Sequence, residues 1–145
     1  MAFFKKKRSD GVWFDYPAGG RVKLCLPSVD DYVRVKSECT EHRPFVWEQE
    51  GKNPKVLDHE VTDENKSMRM INDISIKDWE DFFYDEAKED PIPCNIDTKN
   101  DLMRDEDPTF REFVKGKMEL LEKAAKEERE KREKNSQASQ SGDSA

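Results

Sequence analysis

A short turn between two apolar segments constrains the fold of this chain more than any other feature. Residues 12–16 are rich in aromatic side chains, and in residues 21–26 Val22, Leu24 and Leu26 share one face of the alternating pattern while Arg21 and Lys23 face water. Between them, residues 17–20 supply proline, with its fixed φ, and two glycines, which allow a positive φ. These features predict a β-hairpin. Because an isolated hairpin is marginal in water, its apolar face must pack on helices that follow it.

Capping residues and apolar spacing predict four helices after the hairpin. The first runs from Ser28 to about Thr40, the second starts at residues 62–64, the third spans about 97–104, and the last begins at Asp107. In residues 74–78 apolar and polar side chains also alternate, so a short strand and a continued helix both remain possible there.

The first of these helices has a cap and an apolar face. Ser28 can cap its free amides, with Asp31 placed three residues later to complete a capping box. Four side chains share one helix face, with Cys39 just beyond them: Val29, Tyr32, Val33 and Lys36.

The segment 41–60 reads as a polar loop. Pro44, Gly51 and Pro54 interrupt any regular pattern in it. Its apolar cluster is Phe45-Val46-Trp47, and we expect that cluster to hold the loop against the core.

The last helix is predicted to have a packed half and an exposed half. Asp107 caps it, Pro108 suits its first position, and an apolar stripe extends from Phe110 to Ala124. After Ala125 the stripe has no apolar member, and five pairs of acidic and basic residues lie four apart from Glu119 onward. We therefore expect this half to project into solvent and fray, and residues 135–145 to be disordered.

Together these elements predict an α+β fold: an N-terminal β-hairpin packed on a small bundle of helices, with a disordered C-terminal tail. We divide the chain into a basic flexible leader (1–10), a single α+β domain (11–125), and a charged fraying helix with its tail (126–145). Charged residues make up 41% of the chain and hydrophobic residues 34%, so the core should be thin. Neither a transmembrane stretch nor a secretory leader is apparent, which favours a cytoplasmic protein.

The charge of the chain is unevenly distributed. Residues 5–8 carry +4; because the total is −7 and residues 115–145 carry +1, residues 9–114 carry −12. Such a body is repelled by phosphates, so we expect no nucleic-acid partner. A basic leader can act as an import signal or a nucleic-acid anchor, but a solvated end is the commoner case.

The sequence offers little for catalysis or metal binding. The three cysteines are widely spaced, as is typical of reduced thiols. Cys39 and His42 are the one close pair of potential metal ligands, with His59 and Cys94 as possible additions, and zinc sites normally show two such pairs. We expect no metal, no cofactor and no enzyme activity.

Residues 79–84 form the most aromatic segment, and acidic residues surround it. If the segment is helical, its aromatic side chains cannot all enter one small core. Either Trp79 and Phe83 face inward with the others at the rim, or the segment belongs to a partner-binding surface. The candidate partner-binding residues come from this segment and from the last helix: Trp79, Phe82, Phe83, Tyr84, Phe110, Phe113 and Leu121.

Several short motifs, in order, resemble one protein family. The hairpin carries the first of them, in residues 11–17 and 20–24. The middle of the chain has the others: Ile76-Lys77-Asp78-Trp79-Glu80, Asp85-Glu86 and Pro91-Ile92-Pro93-Cys94-Asn95. The closing motifs are Lys99-Asn100 and Pro108-Thr109-Phe110-Arg111-Glu112-Phe113-Val114. Together they resemble the small tail assembly chaperones of long-tailed bacteriophages and prophages, over residues 11–114.

This resemblance implies a function. Such a chaperone binds the long helical tape-measure protein, keeps it soluble and helps to recruit tail-tube subunits, in the cytoplasm of a bacterial host. The alternative is a structural tail-completion or head–tail connector component that stays in the particle. Two positions depart from the family pattern: Asp81 stands where a glycine commonly follows Trp-Glu, and Asn95 replaces a usual threonine. We expect these two changes to adjust a turn and a helix cap.

Overall fold

The computed structural model describes Ala2 and residues 11–141, with side chains through residue 135. The predicted leader, Ala2 excepted, and residues 142–145 lie outside the described residues. In chain order the elements are β1 (Val12–Asp15), β2 (Arg21–Leu24), α1 (Val29–Cys39), β3 (Thr40–Trp47), β4 (Lys55–Thr62), α2 (Glu64–Ser75), β5 (Ile76–Glu80), α3 (Ile96–Met103) and α4 (Thr109–Ser141). The predicted α+β class is confirmed.

The predicted N-terminal hairpin forms and gains a third strand. β1 pairs with β2, and β5 pairs antiparallel with the other edge of β2, which places Trp79 opposite Val22. The ambiguous segment 74–78 is divided: α2 continues to Ser75 and the strand starts at Ile76. The turn of the hairpin needs Gly20, since its φ is +77° and an added Cβ would lie 2.5 Å from the carbonyl oxygen of Glu80.

The core lies between this sheet and the start of α4, and it is thin, as the composition predicts. Its buried members come from β2, β5, the segment after β5, and α4: Val22, Leu24, Ile76, Trp79, Phe82, Phe110 and Val114. Partly buried side chains of α3 and α4, among them Leu102 and Met118, extend it. α2 packs against α1 on one side and α3 on the other.

The prediction of a polar loop at 41–60 is wrong. β3 and β4 form a second hairpin, in register from Thr40↔Thr62 to Trp47↔Lys55, which we call the arm (residues 40–62). The cluster at 45–47 is exposed and does not hold the arm against the core. It pairs across the hairpin with Lys55, Val56 and Leu57 instead, because β-branched and aromatic side chains on both segments favour a strand pair.

The first helix is capped as predicted but buries a different face. Ser28 accepts a hydrogen bond from the Asp31 amide at 3.1 Å, and the Asp31 carboxylate accepts one from the Ser28 amide at 2.8 Å. Val35 and Cys39 are buried, whereas Val29, at 78% exposure, lies in solvent together with Tyr32 and Val33. The neighbouring helix α2 contacts α1 near Cys39, whose Sγ lies 3.6 Å from Met70 Sδ, while most of the predicted apolar face stays exposed.

The last helix is longer than expected, because α4 continues to Ser141 where we predicted disorder from Asn135. Its first half packs on the core through Phe110 and Val114. From Lys126 to Asn135 every side chain is exposed. One of the predicted charge pairs is present there, with Arg132 Nη2 donating to Glu128 Oε1 at 2.6 Å. Fraying of this half stays a prediction.

Candidate functional site

Three of the predicted partner-binding residues belong to the core, and for these the prediction is corrected. Trp79, Phe82 and Phe110 are each at least nine-tenths buried. The indole N–H of Trp79 donates to the carbonyl oxygen of Ile92 at 2.8 Å, which fixes the ring and anchors the chain after β5. Because less than one-tenth of each side chain is accessible, none of the three can be a main anchor for a partner.

These aromatic rings form one packed cluster around Tyr16. The Tyr16 ring centroid lies 5.5 Å from that of Phe82, 5.8 Å from Phe110 and 5.0 Å from Phe113, all in edge-to-face geometry. Trp79 stacks on Phe82 at 5.5 Å. Partial burial raises the pKa of the Tyr16 hydroxyl, and the nearby Asp107 carboxylate raises it further. The cluster therefore ties the turn of the first hairpin to α4.

The other four predicted residues do not form one continuous surface. Tyr84 is exposed, while Phe83 is half-buried and forms a bridge with Pro91. Phe113 packs on Tyr16, and Leu121 contacts the core further along α4. The structure thus brings together Phe82, Phe110 and Phe113 but leaves Tyr84 outside their cluster.

Among the described residues, the arm carries more exposed large apolar side chains than any other element or hairpin. On one of its faces Phe45, Trp47 and Leu57 are 41%, 49% and 40% exposed. On the other face the cross-strand pair Val46 and Val56 is more exposed still. Since cross-strand neighbours share a face, the outer half of the arm is apolar on both sides.

The inner half of the arm is polar. His42 Nδ1 and Asp58 Oδ2 lie 2.7 Å apart across the strands, and Arg43 Nη2 donates to Glu41 Oε2 at 3.1 Å. At the base, the amide of Asp63 donates to the carbonyl oxygen of Cys39 at 2.8 Å, which closes the hairpin between α1 and α2. Polar contacts hold the inner half of the arm together, and the apolar end projects beyond them.

Cys39 and Cys94, two of the candidate metal ligands, are buried and partly buried, respectively. Cys39 Sγ lies 3.6 Å from Met70 Sδ, and burial raises the pKa of the Cys94 thiol, which disfavours the reactive thiolate. Among the described residues, no group of three or more histidine, cysteine, aspartate or glutamate side chains is arranged to hold a metal ion. No helix within the described part of the chain is both long and apolar enough to cross a lipid bilayer.

The sequence analysis predicted neither the strands of the arm nor any candidate partner-binding residue in it. Two eight-residue segments flank a turn with Gly51 and Pro54, and both contain β-branched or aromatic residues. That is a hairpin signal, and Pro44 hid it because proline in a strand suggests a break. In the structure Pro44 lies in a two-stranded sheet, where each strand has a free edge and the missing amide is tolerated.

Comparisons of this chain with protein-family models, with curated proteins and with solved structures found no match.

Proposed function

We propose that this chain is a tail assembly chaperone-like protein of a bacteriophage or prophage. It acts without catalysis in the cytoplasm of the bacterial host, where it binds the tape-measure protein and tail-tube subunits during tail assembly. Nucleic acid and membrane are not among its partners. The observation that carries the proposal is the arm, whose outer half exposes apolar side chains on both faces.

The arm supports a chaperone role through its position on a highly charged molecule. Exposed apolar surface of this kind is costly in a free protein and marks a partner-binding site. Residues 9–114 carry −12, which keeps the protein soluble while the arm covers an apolar segment of its client. The client is released when tail-tube subunits displace the chaperone by mass action.

The two departures from the family pattern also support the resemblance. Asp81, where the family commonly has glycine, adopts a φ of +59°, a conformation that glycine adopts most easily. Asn95, where threonine is usual, is the N-cap of α3, and its side chain accepts from the Thr98 amide at 3.0 Å. Threonine is another preferred N-cap residue.

The test is affinity purification of the tagged protein from prophage-induced cells, with the bound proteins identified by mass spectrometry. We expect a very long, helix-rich protein and a tail-tube subunit to be recovered with the wild-type chain. Phe45→Thr with Trp47→Thr should remove most of both, because these side chains form the apolar end of the arm. Threonine favours strands and neither side chain belongs to the core, so the variant should keep the arm and the thermal stability of the wild type.

A matched control is Glu48→Gln with Glu50→Gln, which alters the same end of the arm without touching its apolar side chains. This variant should recover both partners in full. Recovery of neither partner by the wild-type chain, in cells shown to produce tails, contradicts the proposal. So does a stoichiometric amount of the protein in purified virions, which is what a structural tail-completion or connector component predicts.

A further inference from the structure

We propose that a second site on this protein, a cleft with aromatic walls and an acidic rim, binds an arginine or lysine side chain of a partner polypeptide. The cleft has a volume of about 680 Å³ and lies between the turn of the first hairpin, the segment after β5 and the start of α4. It is separate from the arm and goes beyond the chaperone function proposed above.

The apolar part of the cleft is aromatic. Tyr16, Phe82 and Phe110 line it, with ring centroids 5.5–5.9 Å apart. Phe82 and Phe110 are largely buried and form the floor of the cleft, whereas the partly exposed Tyr16 supplies most of the accessible aromatic surface. An aromatic ring attracts cations through the negative charge of its face and packs well against the methylene stem of a long basic side chain. Elsewhere this chain already uses such contacts, since the guanidinium of Arg21 lies 4.2 Å from the centroid of the Trp13 ring.

The polar part of the cleft is strongly negative. Its lining includes five carboxylates, Asp81, Asp85, Glu86, Asp105 and Asp107, and one ammonium group, Lys88, for a net charge of −4. A cleft with low-dielectric walls and charge of one sign focuses its field and concentrates ions of the opposite sign. A cation is therefore the ligand that this lining favours.

Two of the five carboxylates already have structural partners. Asp107 accepts from the Thr109 amide at 3.0 Å at the start of α4, and Asp85 accepts from the amides of Glu89 and Asp90. Within the described residues, the side chains of Asp81, Glu86 and Asp105 form no hydrogen bond or salt bridge, although the charge of Asp81 also interacts with the Arg21 guanidinium. These three are available to a guanidinium or ammonium group that enters the cleft.

The dimensions favour a side chain carried on a polypeptide. A volume of about 680 Å³ exceeds that of one guanidinium group and leaves room for its stem and for neighbouring atoms of the chain that carries it. Phe83 adds apolar surface to the lining, which suits the methylene stem of a long basic side chain.

The test uses the full-length protein labelled with ¹⁵N, titrated with a short alanine–leucine peptide that carries two arginines. We expect saturable shifts of the amide signals of residues 81–86 and 105–110. A peptide with citrulline in place of arginine, which has the same shape without the charge, should bind at least about fivefold more weakly. Binding of the arginine peptide should also weaken as salt is raised.

Two variants with equal change in net charge locate the site. Asp81→Asn with Glu86→Gln removes two rim carboxylates, and asparagine tolerates the positive φ at position 81. This variant should bind the arginine peptide about fivefold more weakly than the wild type. Glu48→Gln with Glu50→Gln, in the arm, should bind it as the wild type does.

Equal affinity for the arginine and citrulline peptides overturns the proposal, because the charge would then play no part. Equal weakening by the two variants also overturns it, since that result reflects the overall charge of the protein and not the cleft. Neither outcome depends on tape-measure or tail-tube binding, so failure here is distinguishable from failure of the chaperone proposal.

Discussion

At the scale of single residues, Asp81 decides how the aromatic segment packs. In a continuous strand, side chains three apart point to opposite faces, so Trp79 and Phe82 would lie on opposite sides of the sheet. A positive φ of +59° at Asp81 turns the chain directly after β5. Both side chains therefore enter the core and stack at 5.5 Å. This turn lowers the stability of the folded state, because a positive φ strains a residue that has a Cβ.

We expect Asp81→Gly to raise the free energy of unfolding by about 0.5–1 kcal/mol. Removal of the left-handed strain gains about 1–2 kcal/mol, and the greater freedom of glycine in the unfolded chain takes back roughly half of it. Urea denaturation measures the difference. Asp81→Ala is the control, because it removes the same carboxylate but keeps a Cβ at the positive φ. An equal gain from both variants contradicts the argument and points to charge repulsion instead.

At the scale of elements, α4 consists of two halves with different sources of stability. Its first half buries Phe110 and Val114 in the core and packs Met118 and Leu121 against it. Its second half, beyond Ala125, has exposed side chains through Asn135. There the helix depends on pairs such as Glu128 and Arg132, each of which contributes about 0.2–0.5 kcal/mol.

Hydrogen exchange should separate these two halves. We expect amides of residues 114–124 to exchange at least about tenfold more slowly than those of residues 128–134, because the packed half opens only when the core is disturbed. Mass spectrometry or NMR measures the exchange of each segment. Added salt should accelerate exchange in the second half alone, since it screens the charge pairs. Uniform protection from 114 to 134 contradicts this account.

The elements that depend on local signals could be predicted from the sequence. Proline and glycine between two apolar strands predicted the first hairpin, and Ser28 and Asp107 predicted the starts of two helices. The arm could not be predicted in the same way. Its exposure depends on whether any other element covers it, and that is a property of the whole fold.

The sequence also did not predict which face of α1 is buried or how the aromatic segment 79–84 packs, for a related reason. Val29, Tyr32 and Val33 have the spacing of a buried face, yet the buried residues of α1 are Val35 and Cys39, so the buried face is rotated toward one edge of the predicted one. For Trp79 and Phe82, helical spacing was the wrong assumption, because β5 and the turn at Asp81 replace the helix. Sequence periodicity identifies an apolar face but not the element that covers it.

At the scale of the whole molecule, the folded state gains stability from carboxylates whose pKa values are lowered. Glu80 is the clearest case: Arg21 Nε and Nη2 donate to its two oxygens at 2.6 and 2.9 Å, and these hydrogen bonds lower its pKa. The hydrogen bond from the Ser28 amide lowers the pKa of Asp31, and the Thr109 hydroxyl lowers that of Asp107. A carboxyl group whose pKa is lower in the folded state than in the unfolded chain stabilises the folded state. That contribution is complete when the pH is above the pKa that the group has in the unfolded chain.

We therefore expect Glu80→Gln to be less stable than the wild type at pH 7 and to lose this difference in acid. The ion pair is intact above the unfolded pKa of glutamate, which is about 4.3, and its contribution disappears as the pH falls through the lower pKa of the folded state. Urea denaturation at a series of pH values from 7 to about 2 measures the gap between the two proteins.

Glu48→Gln is the control for this series, since Glu48 lies in the exposed turn of the arm and should show no gap at any pH. A gap between Glu80→Gln and the wild type that stays constant into strong acid contradicts an ionic origin. It indicates that glutamine simply fits the edge of β5 less well.

The closure of the arm at its base has a consequence for how a protein like this one evolves. Because the hydrogen bond from Asp63 to Cys39 joins the ends of α1 and α2 directly, the residues between them form a detachable insertion. Changes in the length or sequence of the arm leave the core untouched. The arm can therefore accept insertions, deletions and substitutions that the sheet and helices carrying it could not, and a partner bound there as proposed could change without a change in the core.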